Sequence, residues 1–355
     1  MRSSASEMGQ AAVDLLDSLP SELVTRMRQP FTDERHQWTF YPREMAGKTY
    51  VGVPLLELDR DQRLLMMKMA RSGLSAHAFR RMSVIMSFDN VLNDMEDYIR
   101  SDIRDPLRYW MAIYGEPGDI GTWGWRFEGH HVSLNNTIRD GEVLSSTPLF
   151  LGANPSEIGS GAHAMIRPCG DEEDAGRELY SLLDDDQRAL ALLDITAPID
   201  TVVPNVPMVP AVAIPGEPPA DLAMFQNVHE AMTDEQKHNL RFESASPRGI
   251  GTSHLDGAQT KLLHELVDVY VRRLPEHLAT KEQVKLDAAG WDNLRFAWAG
   301  PGQRHEKHYY RVHGPSFMVE YNCVQDDGKH IHAVWRNPQG DFGEDILRTH
   351  MASEH

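Results

Sequence analysis

Two histidines near the end of the chain have the spacing of a paired imidazole site. They lie in the segment His330-Ile331-His332-Ala333-Val334-Trp335-Arg336. Side chains alternate between the two faces of a β-strand, so His330, His332 and Arg336 are predicted to share one face. Two imidazoles on one face can ligate a transition metal, or act as an acid and a base. A solvated polar strand face explains the same spacing without any function.

Two further segments are predicted to present polar strand faces. In segment 122–138 the apolar positions change parity near Gly129, which predicts a β-bulge and places Trp125 on the core side. Segment 309–323 changes parity in the same way near Gly314. The first polar face is predicted to carry Arg126, Glu128, His131, Ser133, Asn135 and Thr137. The second is predicted to carry Arg311, His313, Ser316, Met318, Glu320 and Asn322.

These faces provide a donor set that suits a metal ion. Three imidazoles (His131, His330 and His332) and the carboxylate of Glu320 are suitable ligands for Zn, Fe, Cu or Mn. Glu320 is predicted to be either the fourth ligand or a general base.

The remaining polar residues are assigned to the substrate. Positions predicted to orient an anionic substrate or assist the reaction are Arg126, Arg311 and Arg336. Further substrate contacts are predicted for Glu128, Asn322 and Trp125. A purely structural network, in which Arg126–Glu128 and Arg311–Glu320 pairs satisfy buried strands, is the alternative. We therefore expect a metal-dependent enzyme acting on a small molecule, with oxidation as one option, or a non-catalytic protein that binds a metal or small ligand.

Composition limits the partners of this protein. The 355 residues carry a formal charge of −18, with 41% hydrophobic residues and a mean hydropathy of −0.46. This acidity argues against a general nucleic-acid binder. No signal-peptide pattern or membrane-length apolar run is present, so we expect a cytoplasmic protein without a membrane partner. The oligomeric state is left open.

The two cysteines do not indicate a disulfide framework. Cys169 and Cys323 form no CxxC pair, which agrees with a reducing compartment. Cys323 near His332 is a weak candidate for a nucleophile beside its base, and a small buried side chain is the favoured interpretation. The chain contains no GxSxG, GxxxxGK[ST] or HExxH motif.

The order of predicted elements suggests two related halves. Helices followed by an antiparallel meander occur twice, and Trp125 to Leu134 matches Tyr310 to Val319. Leu107-Arg108-Tyr109 is likewise matched to Leu294-Arg295-Phe296. We predict an α+β protein with halves at 1–158 and 159–355, a Pro-rich connection at 198–219, and a His-rich ligand site between the two sheet regions.

Three of these segments carry a family resemblance. Residues 125–135, the segment Phe150 to Pro155, and residues 330–336 with Asp341-Phe342-Gly343 resemble the bacterial proteins grouped as domain of unknown function 3500. The resemblance covers nearly the whole chain and implies no established activity. Family members tend to have Glu-Tyr-Asp-Asn where this chain has Glu320-Tyr321-Asn322-Cys323, so a carboxylate is replaced by an amide and a thiol is added.

Overall fold

The computed structural model describes residues 3–42, 50–161, 164–203, 205–215 and 232–347. The chain forms two compact units. The first contains residues 1–150, 272–280 and 339–355, and the second contains residues 151–271 and 281–338. Helices and strands both contribute to the structure, so the α+β prediction is confirmed. The division of the sequence into halves at residue 158 stays a prediction.

The first unit begins with helices and continues into a meander. Its helices are α1 (Ser4–Asp17), α2 (Ser21–Met27), α3 (Arg60–Ser72) and α4 (Ala76–Met95). Its strands are β1 (Arg28–Gln29), β2 (Val53–Pro54), β3 (Tyr109–Tyr114), β4 (Thr122–Gly129), β5 (Val132–Arg139) and β6 (Glu142–Ser145), and β7 (Leu149–Ala153) follows them. Pro20 separates α1 from α2, as the sequence predicts, because proline cannot continue a helix but is tolerated at its start.

Strands β3, β4 and β5 form an antiparallel meander. Strand β1 pairs parallel to β3, while β2 pairs antiparallel to β3, and β6 pairs with β5. Arg126 lies opposite Asn135, and Glu128 lies opposite Ser133. Directly opposed residues share a face of the sheet, so the predicted grouping of these four polar residues is confirmed.

The predicted β-bulge at Gly129 is wrong. Gly129 pairs with Val132, so segment 122–138 is a hairpin of two strands joined by His130 and His131. His131 has φ +63°, a left-handed conformation that lets a short turn reverse the chain. A hairpin changes the parity of the apolar positions just as a bulge does, which explains the error. Segment 309–323 is also a hairpin, which explains the change of parity near Gly314 in the same way.

The second unit repeats the order of helices and meander. Its helices are α5 (Gly170–Ser181), α6 (Asp185–Ala191), α7 (Asp234–Leu240), α8 (Gly257–Val271) and α9 (Glu276–Ala289), the first residues of α9 being counted with the first unit. Its small strands are β8 (Ile158–Ser160), β9 (Ala164–Ile166), β10 (Leu192–Asp194), β11 (Val212–Ala213), β12 (Phe242–Glu243) and β13 (Ile250–Gly251). Its meander strands are β14 (Arg295–Ala299), β15 (His308–His313), β16 (Met318–Cys323) and β17 (Ile331–Arg336).

The second meander has the strand order β17-β16-β15-β14-β10, and β13 also pairs with β14. Glu320 lies opposite Arg311, and Asn322 lies opposite His332. The predicted polar face of this sheet is therefore confirmed for these residues. The opposite face forms a core of buried aromatic side chains, which are Phe296, Trp298, Tyr310, Tyr321 and Trp335.

The Pro-rich connection runs along the polar face of the second meander. We call residues 198–203 and 205–207 of this connection the strap. Within the described residues of segment 198–219, regular structure is confined to β11, which pairs only with β12. Val202 and Val203 are buried in an apolar cluster that includes Tyr309 and Met318. The strap is therefore attached to the sheet by its side chains and by hydrogen bonds to its backbone.

Candidate functional site

His330 and His332 lie side by side at the start of β17. Their ring centroids are 4.7 Å apart and the rings are nearly perpendicular, at 83°. Ligand nitrogens of the two imidazoles lie within 4.8 Å of each other. His332 is 4% exposed, and its neighbours Ile331 and Ala333 lie on the other face of the strand, which packs into the core. The structure thus brings together the two histidines that the i, i+2 spacing singles out.

A buried carboxylate orients His332. Nδ1 of His332 lies 2.6 Å from Oδ1 of Asp200, a strap residue. The Thr201 N–H donates to the same oxygen at 2.7 Å, and Gln325 Nε2 donates to the other at 3.2 Å. Burial raises the pKa of Asp200, but the His332 imidazole and the Thr201 N–H outweigh it, so the pKa lies below its ordinary value. An ionised Asp200 favours the tautomer that is protonated at Nδ1 and carries a lone pair on Nε2.

A second carboxylate faces His330. Nδ1 of His330 lies 3.1 Å from Oδ2 of Asp326 and 3.3 Å from Nδ2 of Asn154. Asp326 belongs to a left-handed turn in which Asp326, Asp327 and Gly328 have φ of 51°, 57° and 77°. Non-glycine residues adopt this conformation at a cost, and such strain is concentrated near functional sites. Both imidazoles therefore present Nδ1 to a carboxylate, the arrangement found around metal-bound histidines.

Glu320 uses both carboxylate oxygens to hold the strap. Oε1 accepts hydrogen bonds from the Val202 N–H at 2.7 Å and from the Tyr309 hydroxyl at 2.6 Å. Oε2 accepts from the Val203 N–H at 3.0 Å. Burial raises the pKa of Glu320, although Tyr309 and Arg311 act in the opposite direction. Both oxygens thus already accept hydrogen bonds from the protein, and the predicted roles of Glu320 as ligand or base stay predictions.

The other predicted residues of this face also contact the chain that covers it. Asn322 donates to the Pro198 carbonyl at 2.7 Å, and Arg336 donates to the Val206 carbonyl at 3.0 Å. Arg311 donates to the Arg241 carbonyl at 3.1 Å. The side-chain N–H groups that were predicted to contact a substrate thus donate hydrogen bonds to backbone carbonyls. This arrangement agrees with the structural alternative, and the substrate roles stay predictions.

In the first unit, Arg126 and Glu128 likewise form hydrogen bonds with a backbone segment that lies on the meander. Arg126 donates to Asn135 Oδ1 at 2.9 Å and to the carbonyls of Gln37 and Arg35. Arg126 also lies 3.5 Å from Glu128. The Thr39 N–H donates to Oε2 of Glu128 at 2.9 Å. The pair therefore holds segment 35–39 against the meander.

Trp125 lies on the opposite face of β4 from these polar groups and is 1% exposed. A Cβ added at Gly73 would lie 2.7 Å from its ring, so the indole fills the space that this glycine leaves. Trp125 is thus packed as a core residue, while its assignment to substrate binding stays a prediction.

The two histidines of the first hairpin turn differ in their surroundings. Nδ1 of His130 lies 2.5 Å from Asp89, whose other oxygen accepts from the Tyr109 hydroxyl at 3.0 Å. Nε2 of His130 lies 3.5 Å from Arg104. Both nitrogens of His130 therefore face side chains of the first unit. The ring of His131 contacts that of His130, with centroids 3.8 Å apart and a tilt of 33° between the planes.

Cys323 and His332 lie on opposite faces of the second meander. Cys323 pairs with Ile331, one residue along, and so lies on the opposite face of the sheet, where it is directly across from His308. Burial raises the pKa of Cys323 to about 12, so the thiol is protonated at neutral pH. The weak hypothesis of a Cys323–His332 nucleophile pair is therefore wrong, whereas the buried side chain is confirmed.

A second group of possible ligands lies in the first unit. Asp33, His36 and Glu344 place one ligand atom each within 4.8 Å of one another. Glu344 also accepts from the Arg35 guanidinium and lies 3.1 Å from Nε2 of His36. Because Arg35 already neutralises Glu344, this group is less suited to a cation than the histidine pair.

Sequence reasoning missed the carboxylates that orient the histidines. Asp200 is 132 positions from His332, and Asp89 is 41 positions from His130. Neither belongs to a recognisable motif. Asp326, four residues before His330, is the exception, because the Asp-Asp-Gly run that contains it is a turn signal.

Comparison with models of protein families identifies the family of this chain. The model of the family described as Protein of unknown function (DUF3500) matches residues 1–344. The chain belongs to this family. No curated protein and no solved structure matches the chain. In the part of the chain that the structure describes, no helix is both long and apolar enough to cross a membrane.

Proposed function

We propose that this protein binds a transition metal through Nε2 of His330 and of His332, and that the metal serves an enzyme acting on a small molecule. The observation that carries the proposal is the pair of carboxylates at Nδ1, Asp200 at 2.6 Å and Asp326 at 3.1 Å. Carboxylates in this position hold the imidazole rings and increase their basicity. Zn, Fe, Cu and Mn all accept imidazole ligands.

We further propose His131 as the third ligand. It has the residue type that completes a three-histidine set, and its neighbour His130 is engaged by Asp89. An open coordination position would then be available to substrate, as in catalytic metal sites. Oxidation is the reaction class we favour for a redox metal, and hydrolysis is the class for zinc.

A non-catalytic metal-binding protein is the second candidate. It is favoured by the hydrogen bonds of Glu320, Arg311 and Arg336, because these residues were the predicted base and substrate anchors. Turnover separates the two candidates. Metal-loaded protein is tested for oxygen consumption and hydrolysis on a panel of small molecules, with the His330→Gln/His332→Gln double variant as the matched inactive control.

Elemental analysis of protein purified without chelator tests the metal itself. We expect Zn, Fe, Cu or Mn near one ion per chain, and its loss on dialysis against a chelator. Metal-free protein that cannot be loaded in vitro by any of the four ions would remove both candidates.

We also propose that the two units arose by internal duplication. In each unit, the first meander strand is flanked at one edge by a short parallel strand and a short antiparallel strand. Corresponding positions differ by 185, as for Met111 and Phe296 (296 less 111) or Arg126 and Arg311 (311 less 126).

The helices add independent support for duplication. Gln62, in the first turn of α3, donates to the Ser18 carbonyl at the end of α1, at 3.0 Å. Gln259, in the first turn of α8, donates to the Leu182 carbonyl at the end of α5, at 2.8 Å. An experimental structure tests the proposal, since the two meanders with their flanking helices should superpose at this offset.

A further inference from the structure

The strap is attached to the sheet close to the residue that orients His332. Asp200 contacts His332, and the next attachment points towards the C-terminus are the N–H groups of Val202 and Val203, both bound by Glu320. Asn322 and Gln325 hold the preceding carbonyls of Pro198 and Ile199. Two residues span at most about 7 Å of extended chain, so a displacement at Val202 is transmitted to Asp200. The position of the Asp200 carboxylate therefore depends in part on how firmly the strap is held at Val202.

Glu320 is well suited to hold this part of the strap. Two successive N–H groups of the strap and the Tyr309 hydroxyl all donate to one carboxylate. The side chain is 0% exposed, so water cannot replace these hydrogen bonds. A glutamine at this position would present an NH₂ group to at least one of the three donors. The charge and the shape of the carboxylate are both needed.

We propose that Glu320 is a positioning residue for the imidazole pair, acting through the strap backbone to keep Asp200 on Nδ1 of His332. It is thereby neither a metal ligand nor a general base. The consequence for metal affinity rests on the proposed function, whereas the link from Glu320 to the His332 tautomer holds in metal-free protein. The two can be tested separately.

The test compares wild-type protein with Glu320→Gln in the metal-free state at one fixed pH. Imidazole ¹⁵N NMR reports the tautomer of His332, whose signals are assigned with His332→Gln. We expect wild-type His332 to be protonated at Nδ1, and the variant to populate the Nε2 tautomer as well. Amide exchange at Val202 and Val203 should accelerate by about tenfold or more. Zn²⁺ affinity, measured against a chromophoric chelator, should fall about 10- to 100-fold.

Two further variants keep the test decisive. Glu282→Gln removes a carboxylate that pairs with Lys285 on α9, and it should leave the tautomer and Zn²⁺ affinity unchanged. Tyr309→Phe removes one of the three donors but keeps the Glu320 carboxylate, and it should produce a smaller change in the same direction.

The possible outcomes separate the two proposals. An unchanged His332 tautomer in folded Glu320→Gln overturns the positioning role. If Glu320→Gln does not fold, an unchanged tautomer in Tyr309→Phe overturns it instead. If the tautomer shifts but wild-type protein binds no metal, the positioning role stands and the proposed function fails.

Discussion

Asp200 and His332 form a 2.6 Å contact across 132 positions of sequence. The carboxylate comes from a proline-rich connection and the imidazole from the last strand of a meander. Long-range pairs of this kind require two separately folded segments to meet, so the contact depends on the strap as much as on β17.

The histidine pair is tested by His330→Gln and His332→Gln. Glutamine keeps a polar side chain of similar reach but removes the imidazole, so metal coordination should weaken strongly. We expect lost metal content and a melting temperature near that of the chelated wild type, because a metal bound only to the folded state stabilises it.

Exposed His254 offers the matched control for the pair. His254→Gln should retain the metal and change the free energy of unfolding by no more than about 0.5 kcal/mol. Unchanged metal occupancy in both His330→Gln and His332→Gln would show that β17 is not the metal-binding element.

The orienting carboxylate is tested by Asp200→Asn. The amide oxygen can still accept from Nδ1 of His332, but the negative charge that strengthens the imidazole as a ligand is lost. Metal affinity should therefore fall about 10- to 100-fold, as measured by competition with a chelator. Asp327→Asn is the control, because Asp327 pairs with Lys307 at the surface and asparagine tolerates its left-handed backbone. Equal affinity of Asp200→Asn and wild type would contradict the orienting role.

Stability should depend on pH through His313. Burial, together with the nearby Arg311, lowers the pKa of His313 to about 4, and the side chain is 1% exposed. Since the unfolded chain binds this proton near pH 6.5, it holds more protons than the folded state between these values. The stability contributed by neutral His313 is therefore complete above about pH 6.5 and is lost as the pH falls towards 4.

Because of His313, the free energy of unfolding should fall by about 2 kcal/mol between pH 7 and pH 5. Urea unfolding at the two pH values measures it, and His313→Gln should show a correspondingly smaller loss. A variant with the same pH dependence as wild type would rule out His313 as the source. His254→Gln again serves as control.

The two units should respond alike to glycine substitution next to their first meander strand. Gly52 has φ +101° and Gly249 has φ +119°. A Cβ at either position would collide with a backbone carbonyl, that of Met111 or of Phe296. Gly52→Ala and Gly249→Ala should each lower the free energy of unfolding by about 2 kcal/mol or more.

Gly118 provides the comparison, because a Cβ there meets nothing within 4 Å. Gly118→Ala should be nearly neutral in thermal or urea unfolding. If only one of the two other glycine variants is destabilised, the correspondence between the units weakens at this position.

Local signals in the sequence account for much of the secondary structure. Pro20 separates two helices, and the starts of α3 and α6 are capping boxes built by Asp59 with Gln62 and by Asp184 with Gln187. Alternation of polar and apolar residues also identified the shared faces of the meanders. These features depend on near neighbours in the chain, which a sequence displays directly.

Relations between distant segments were predicted less well. Under the proposed duplication, the matched triplets at 107–109 and 294–296 are out of register by two residues, because Trp110 pairs with Pro54 where Arg295 pairs with Gly251. The few identical residues in these segments do not fix the alignment, whereas the strand pairing does. Asp200 was overlooked because a proline-rich segment predicts only extended chain, and nothing local indicates which side chain faces the sheet.

The left-handed turn before β17 has a consequence for how family sequences are compared. Asp326, Asp327 and Gly328 wind with the hand that L-amino acids disfavour, so most replacements there are costly before any ligand is considered. Glycine, asparagine and aspartate are the natural substitutes, and a β-branched residue is the worst. A narrow choice of residues at these positions among relatives would therefore record backbone chirality as well as chemistry. Asp200, whose backbone is not left-handed, is free of this constraint and is the more informative position for tracing the function through the family.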